Sequence, residues 1–168
     1  EAMGGIIRST TSSADITGNT LTISGGTLKD AYGGWSTGKK ADGTLGKTTD
    51  NTVNLYSGSV TGDVYGGFAS GNGTTTGNKI TIGDGTNDAA VSVTGKLIGG
   101  NKSAEGNVLN LKSKGAQVGS LENFGKITWS LGSNLTDGDT VLTLNENTAL
   151  TYSTIEKPAG ADVSNWLG

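Results

Sequence analysis

The feature that most constrains this chain is an internal repeat of about thirty residues, carried by two landmarks. One is a pair of glycines, Gly4-Gly5, Gly33-Gly34, Gly66-Gly67 and Gly99-Gly100, spaced by 29, 33 and 33 residues. The other is an asparagine that opens a short β-like run: Asn19, Asn51, Asn78 and Asn107, spaced by 32, 27 and 29. In register the runs read Asn19-Thr-Leu-Thr-Ile23, Asn51-Thr-Val-Asn-Leu55, Asn78-Lys-Ile-Thr-Ile82 and Asn107-Val-Leu-Asn-Leu111. Aliphatic and polar residues alternate with a period of two, the pattern of a half-buried strand. Leu21/Ile23, Val53/Leu55, Ile80/Ile82 and Leu109/Leu111 are thus expected in a core, with Thr22, Asn54, Thr81 and Asn110 facing water.

A second short strand is expected between each Asn run and the next Gly pair, at Leu28, Val60 and Val91/Val93. Each repeat then holds about three short strands, joined at corners rich in Gly, Asn and Ser. Gly and Asn suit such corners because they tolerate positive φ. One repeat cannot bury its own apolar face; stacked copies can, each strand pairing with its equivalent about 4.8 Å away. Asn ladders at the corners fit this scheme, because an amide both donates and accepts.

Composition agrees with a thin, elongated core. Hydrophobic residues make up 32% of the 168, below the roughly 38–43% of globular domains once their roughly 7% of Gly is set aside. Disorder is the competing reading of so little apolar material, but the net charge is only −3 and Thr, Val and Ile are plentiful. The expectation is an all-β, right-handed parallel β-helix (β-solenoid) of about five to six coils, a rod roughly 25–30 Å long. Residues 1–168 form one unit, with regular repeats over 1–112, degenerate repeats or a cap over 113–150, and a tail over 151–168. In the degenerate part, Glu122-Asn123 stand where a Gly pair is due, and Ile127–Leu131 and Val141–Leu144 alternate as further strands or a capping element. Only Pro158–Leu167 carries any helical pattern.

Segments such as Asn51-Thr-Val-Asn-Leu-Tyr-Ser-Gly-Ser-Val-Thr-Gly-Asp-Val-Tyr-Gly-Gly-Phe68 resemble the repeats of bacterial autotransporter passenger domains. The run Leu121–Leu131, followed by Leu135–Leu144, is similar to the segment that often closes such arrays. The resemblance covers about residues 1–145. It implies a right-handed β-helix secreted across a Gram-negative envelope and shown at the cell surface, held there through a C-terminal barrel that this sequence lacks. It also implies adhesion, aggregation or host contact, and offers no catalytic residue to carry over. The chain opens mid-pattern at Glu1, so a segment of a longer protein is expected.

Residue chemistry narrows the function further. Without Cys or His there is no thiolate, no imidazole base and no thiolate or imidazole metal ligand. A carbohydrate-active β-helix, a lyase or glycosidase, would need converging carboxylates. The nearest groupings, Asp84 with Asp88 and Asp137 with Asp139, sit among Gly, Asn and Thr, where Asp is an ordinary turn former. The loop Gly83–Asp88 offers hard oxygens for calcium, but matches neither an EF-hand nor a nonapeptide array. No catalytic residue, metal or cofactor is therefore assigned, and the chain is read as a non-enzyme. A sequence pI of about 4.8 and scattered lysines argue against nucleic acid. No stretch approaches a membrane span.

The candidate ligand-binding residues are Tyr32, Trp35, Tyr65 and Phe68, whose 33-residue spacing stacks Tyr32 on Tyr65 and Trp35 on Phe68. An internal aromatic ladder closing the core is the favoured reading. The alternative is a surface stripe gripping a sugar ring or a host or bacterial surface protein. End-to-end self-association through an open solenoid edge is a further partner expectation.

Overall fold

The computed structural model describes residues 1–7, 15–38, 44–131, 136 and 138–146, and the backbone of 154–155. Every regular element among them is a strand: β1 (Ala2–Ile7), β2 (Ile16–Thr17), β3 (Thr20–Leu28), β4 (Ala31–Ser36), β5 (Thr48–Thr49), β6 (Thr52–Val60) and β7 (Val64–Ala69), then β8 (Lys79–Ile82), β9 (Ala90–Gly100), β10 (Val108–Leu111), β11 (Ala116–Glu122), β12 (Lys126–Trp129), β13 (Leu142–Leu144) and β14 (Thr154–Ile155). All pairings are parallel and join elements a coil apart, which makes the chain a β-solenoid of about four turns. The helical pattern at Pro158–Leu167 lies outside the described residues.

Three ladders run along the axis. The Asn-run ladder is β3–β6–β8–β10–β12–β14, with Leu21 on Val53, Ile80, Leu109 and Ile127 in turn. The second ladder takes the later halves of β3 and β6, then β9, β11 and β13, stacking Leu28, Val60, Val93, Val118 and Leu144. The third joins β1, β4, β7 and the end of β9, so the Gly pairs stack on one another. Complete circuits span 19–36, 51–69, 78–100 and 107–122. Dividing chain length by repeat length suggested five to six coils; β1 and β12–β14, however, contribute only parts of circuits at the two ends.

Inside, Val53, Leu55, Ile80, Ile82, Leu109 and Leu111 are all within 1% of full burial. At roughly 25 cal/mol per Å² of apolar surface removed from water, each such side chain stabilises the stack by about 1.5–3 kcal/mol. Trp129 follows Leu111 in register and packs on the last coil of that core. Of the outward positions, Thr22, Asn54 and Asn110 are exposed or half-buried as the alternation requires. Thr81 is not: it is 6% exposed, because Asn54 and Asn110 lie directly on either side of it along the ladder.

The two sequence landmarks prove to be two halves of one corner. Asn51, Asn78 and Asn107 are fully buried. Each Asn receives the backbone N–H and side-chain amide of its predecessor on its Oδ1: Asn19 to Asn51 at 3.1 and 2.9 Å, Asn51 to Asn78 at 3.1 and 3.2 Å, Asn78 to Asn107 at 2.9 and 3.3 Å. The Gly pair of the preceding coil lies against this side chain. A Cβ on Gly67 would stand 2.6 Å from Asn78 Nδ2, and one on Gly66 would stand 2.9 Å from Asn78 Cβ and 2.5 Å from the Gly99 carbonyl. The Gly pairs are thus needed for close approach rather than for positive φ. The left-handed residues are instead those just before each Asn, namely Gly18, Asp50, Gly77 and Gly106, with φ of 69, 58, 70 and 66°. Asp takes that conformation more readily than most side chains.

Candidate functional site

The outer surface of the third ladder carries every residue singled out for binding. Its strands alternate, with Ala31 and Val64 fully buried and Tyr32 and Tyr65 beside them half-exposed on the opposite face. The Gly pair bends the strand and breaks the period of two. Trp35 and Phe68, three residues on, therefore return to the outer side, while Ser36 and Ala69 point in. The favoured reading of these aromatics as an internal ladder is therefore incorrect. The core is filled almost wholly by aliphatic residues, and the four rings gather outside it.

The four rings form one cluster. Tyr32 and Tyr65 stack with centroids 5.0 Å apart and planes 3° from parallel, and Trp35 stacks on Tyr32 at 5.1 Å and 23°. Phe68 meets Tyr32, Trp35 and Tyr65 edge-on, at 6.1, 5.9 and 5.5 Å. Such offset and edge-to-face pairs each stabilise by about 0.5–1.5 kcal/mol beyond the area they bury. Met3 and Ile6 continue the two rows onto β1, in register with Tyr32 and Trp35, and Ile6 is 43% exposed. Ile98 follows Tyr65 on the other side.

A row of carboxylates runs beside the tyrosines, and the sequence reading did not single it out. Asp30 and Asp63 lie two residues before Tyr32 and Tyr65, on the same face of consecutive coils. Asp30 Oδ1 accepts the backbone N–H of Asp63 at 3.1 Å, and Asp63 Oδ1 accepts that of Lys96 at 2.8 Å. The Tyr65 hydroxyl donates to Asp63 Oδ2 at 3.1 Å. Burial, then the charge and hydrogen bond of Asp63, push the Tyr65 hydroxyl above its ordinary pKa. Burial followed by the charges of Asp30, Glu1 and Asp63 does the same to Tyr32. The available signal was a short recurrence, Asp30-Ala-Tyr-Gly-Gly34 and Asp63-Val-Tyr-Gly-Gly67.

Other acidic groups do not converge. Asp84 is exposed and turns back on its own loop, accepting the N–H groups of Thr86 and Asn87 and the Asn87 side chain at 2.7, 2.9 and 3.0 Å. The Asn87 N–H, with that of Thr86, lowers its pKa to about 2. Asp88 lies 4.0 Å from Lys114 Nζ, which binds Asp139 at 2.8 Å. Asp137 lies outside the described residues. Among the described residues no three acidic side chains are placed to hold a metal ion. Among them, too, no helix is long and apolar enough to cross a membrane.

Comparison with family models, with curated proteins and with solved structures returns no match. The fold itself defines the class of chain: a parallel β-solenoid repeat segment, whose interior is committed to stacking and whose third ladder carries an aromatic stripe on its outer face.

Proposed function

We propose that this chain is a non-catalytic structural and adhesive segment of a surface-displayed, autotransporter-like passenger, which touches its partner through the aromatic stripe. The observation that supports this is the placement of Tyr32, Trp35, Tyr65 and Phe68 outside a core that does not need them. The ring pairs help to staple neighbouring coils, but stacking alone does not call for four rings left half-exposed on one side, and contiguous apolar surface of this kind marks interaction sites. The repeat pattern and its resemblance to autotransporter passengers supply the setting, a rod held out from a Gram-negative cell.

The test is attachment. Beads coated with the chain are expected to bind host or bacterial cells, and a Trp35→Ser/Phe68→Ser variant with an unchanged circular-dichroism spectrum is expected to lose most of that binding. Full attachment by the folded variant would remove the stripe from the account.

A carbohydrate-active site is the second reading, favoured by Asp30 and Asp63 lying on adjacent coils beside the tyrosines. Three of the four carboxylate oxygens already accept hydrogen bonds from the protein, which suits positioning better than acid–base chemistry. Turnover of any polysaccharide that survives repurification and vanishes in Asp63→Asn would reverse this ranking.

A further inference from the structure

We infer that the aromatic stripe is built to take a cationic side chain, the guanidinium or ammonium of an Arg or Lys presented by a partner protein, rather than a neutral sugar. This rests on the stripe being a contact surface, as proposed above, and names the chemistry of what it contacts.

Every titratable group that raises the Tyr32 and Tyr65 hydroxyls is acidic or is the other tyrosine: Asp30, Glu1 and Asp63. Asp30 and Asp63 stand at equivalent positions just before β4 and β7, one coil apart, where like charges repel. Backbone N–H groups hold one oxygen of each and partly offset that cost. Among the described residues no Lys or Arg forms an ion pair with either carboxylate. The next position in the row is Lys96, whose ammonium binds Glu122 on the following coil at 2.9 Å. No donor among the described residues reaches Asp30 Oδ2.

The rings supply the other half. Aromatic faces attract cations through their quadrupole, and most strongly where carboxylates beside them add charge. A neutral sugar would use the ring faces and could donate hydroxyl hydrogen bonds to a carboxylate oxygen, but it would leave both negative charges uncompensated as it stripped their water away. An Arg or Lys side chain uses both: its methylene stem lies over the apolar rings and its charged head reaches the carboxylates. The row also sets an end to the site. Beyond Tyr65 the equivalents of Asp63 and Tyr65 are Lys96 and Ile98, so the acidic, aromatic surface covers Asp30–Trp35 and Asp63–Phe68 and then reverses sign.

The experiment titrates hexa-arginine into the whole chain and follows backbone amide shifts by NMR, with hexa-citrulline as the neutral isostere. The expected result is saturable binding, shifts confined to 30–35 and 63–68, and no binding by the citrulline peptide. Asp30→Asn/Asp63→Asn keeps the acceptors for the backbone N–H groups and is expected to weaken binding by roughly tenfold, with Tyr65→Leu weakening it by about three- to tenfold. Glu105→Gln removes the same unit of charge at an exposed, distant site and is expected to change nothing. Equal weakening by Glu105→Gln, or none in the double Asp variant, would mean nonspecific attraction to an acidic chain and overturn the inference. So would binding of a neutral oligosaccharide that is lost in Tyr65→Leu. Should hexa-arginine fail to bind while the Trp35→Ser/Phe68→Ser variant still loses attachment, the cation is wrong and the contact surface stands. If attachment is also unaffected, both readings fall.

Discussion

From Asn19 to Leu111 each corner sets an Asn, buried from Asn51 onward, against a Gly pair, whereas the next coil closes with Asn123, Phe124 and Gly125 in their places. The connection between the two halves shortens coil by coil, from Gly34–Asn51 to Gly67–Asn78 to Gly100–Asn107, until Phe124 and Gly125 are adjacent. Large and small then trade sides. Gly125 stands where the Asn stood, with its N–H on the Asn107 carbonyl at 3.0 Å, and Phe124, 3% exposed, fills space the Gly pair had left to the amide. Asn107, with no Asn beyond it, turns its Nδ2 to the carbonyls of Ser103, Thr75 and Asn123, at 2.6, 3.1 and 3.3 Å. What the corner conserves is filled volume and satisfied amides, not residue types.

That difference can be pressed by substitution. The largest effect is expected from Asn78→Ala, which strips acceptors from the buried Asn51 N–H and side-chain amide and a donor from the Thr48 carbonyl. Urea unfolding is expected to show a loss of about 4 kcal/mol. Phe124→Ala leaves a cavity at the closing corner, where the neighbouring chain can partly collapse, and is expected to cost about 3 kcal/mol in the same measurement. Gly66→Ala forces a Cβ against the Gly99 carbonyl and Asn78, and is expected to cost about 1–3 kcal/mol. Asn19→Ala, at the half-exposed start of the ladder, should cost about 1 kcal/mol or less. If Asn19→Ala matched Asn78→Ala, burial would not be what gives the ladder its strength.

The smallest effect concerns how the closing region is tied down. Asp139 accepts from Lys114 and from the Thr136 N–H and hydroxyl, at 2.8, 2.7 and 2.9 Å, and these bonds, Lys114 first, hold its pKa near a value of about 2. The unfolded chain would titrate at about 3.9. The folded value is the lower one, so this staple stabilises fully above about pH 4 and is lost as pH falls through about 2. Carboxyl NMR should place the Asp139 titration there, and Lys114→Met should move it upward.

Much of the corner was legible because the period of two fixes which residues of each Asn run face in, and the repeat fixes their register. Leu109 and Leu111 needed no more than that. The Gly pairs were legible as landmarks but not in their reason, since a lone sequence does not show that Gly67 lies on Asn78 from the next coil. The aromatics were misplaced for a related cause. Tyr32 and Trp35 are three apart, which a straight strand puts on opposite faces, and only the bend at Gly33-Gly34 brings both outside. Thr81 was misjudged because its cover comes from neighbouring coils rather than from its own strand.

The Asn ladder also has a direction. In Asn51, Asn78 and Asn107 the side-chain oxygen faces the coil before, so three amide dipoles add head to tail along the rod. Amides aligned in this way polarise one another, by about 10–30% per bond. The solenoid therefore carries a small axial polarity inside its core, negative toward the β1 end, and a break in the middle of the row removes mutual polarisation as well as the bonds at the break.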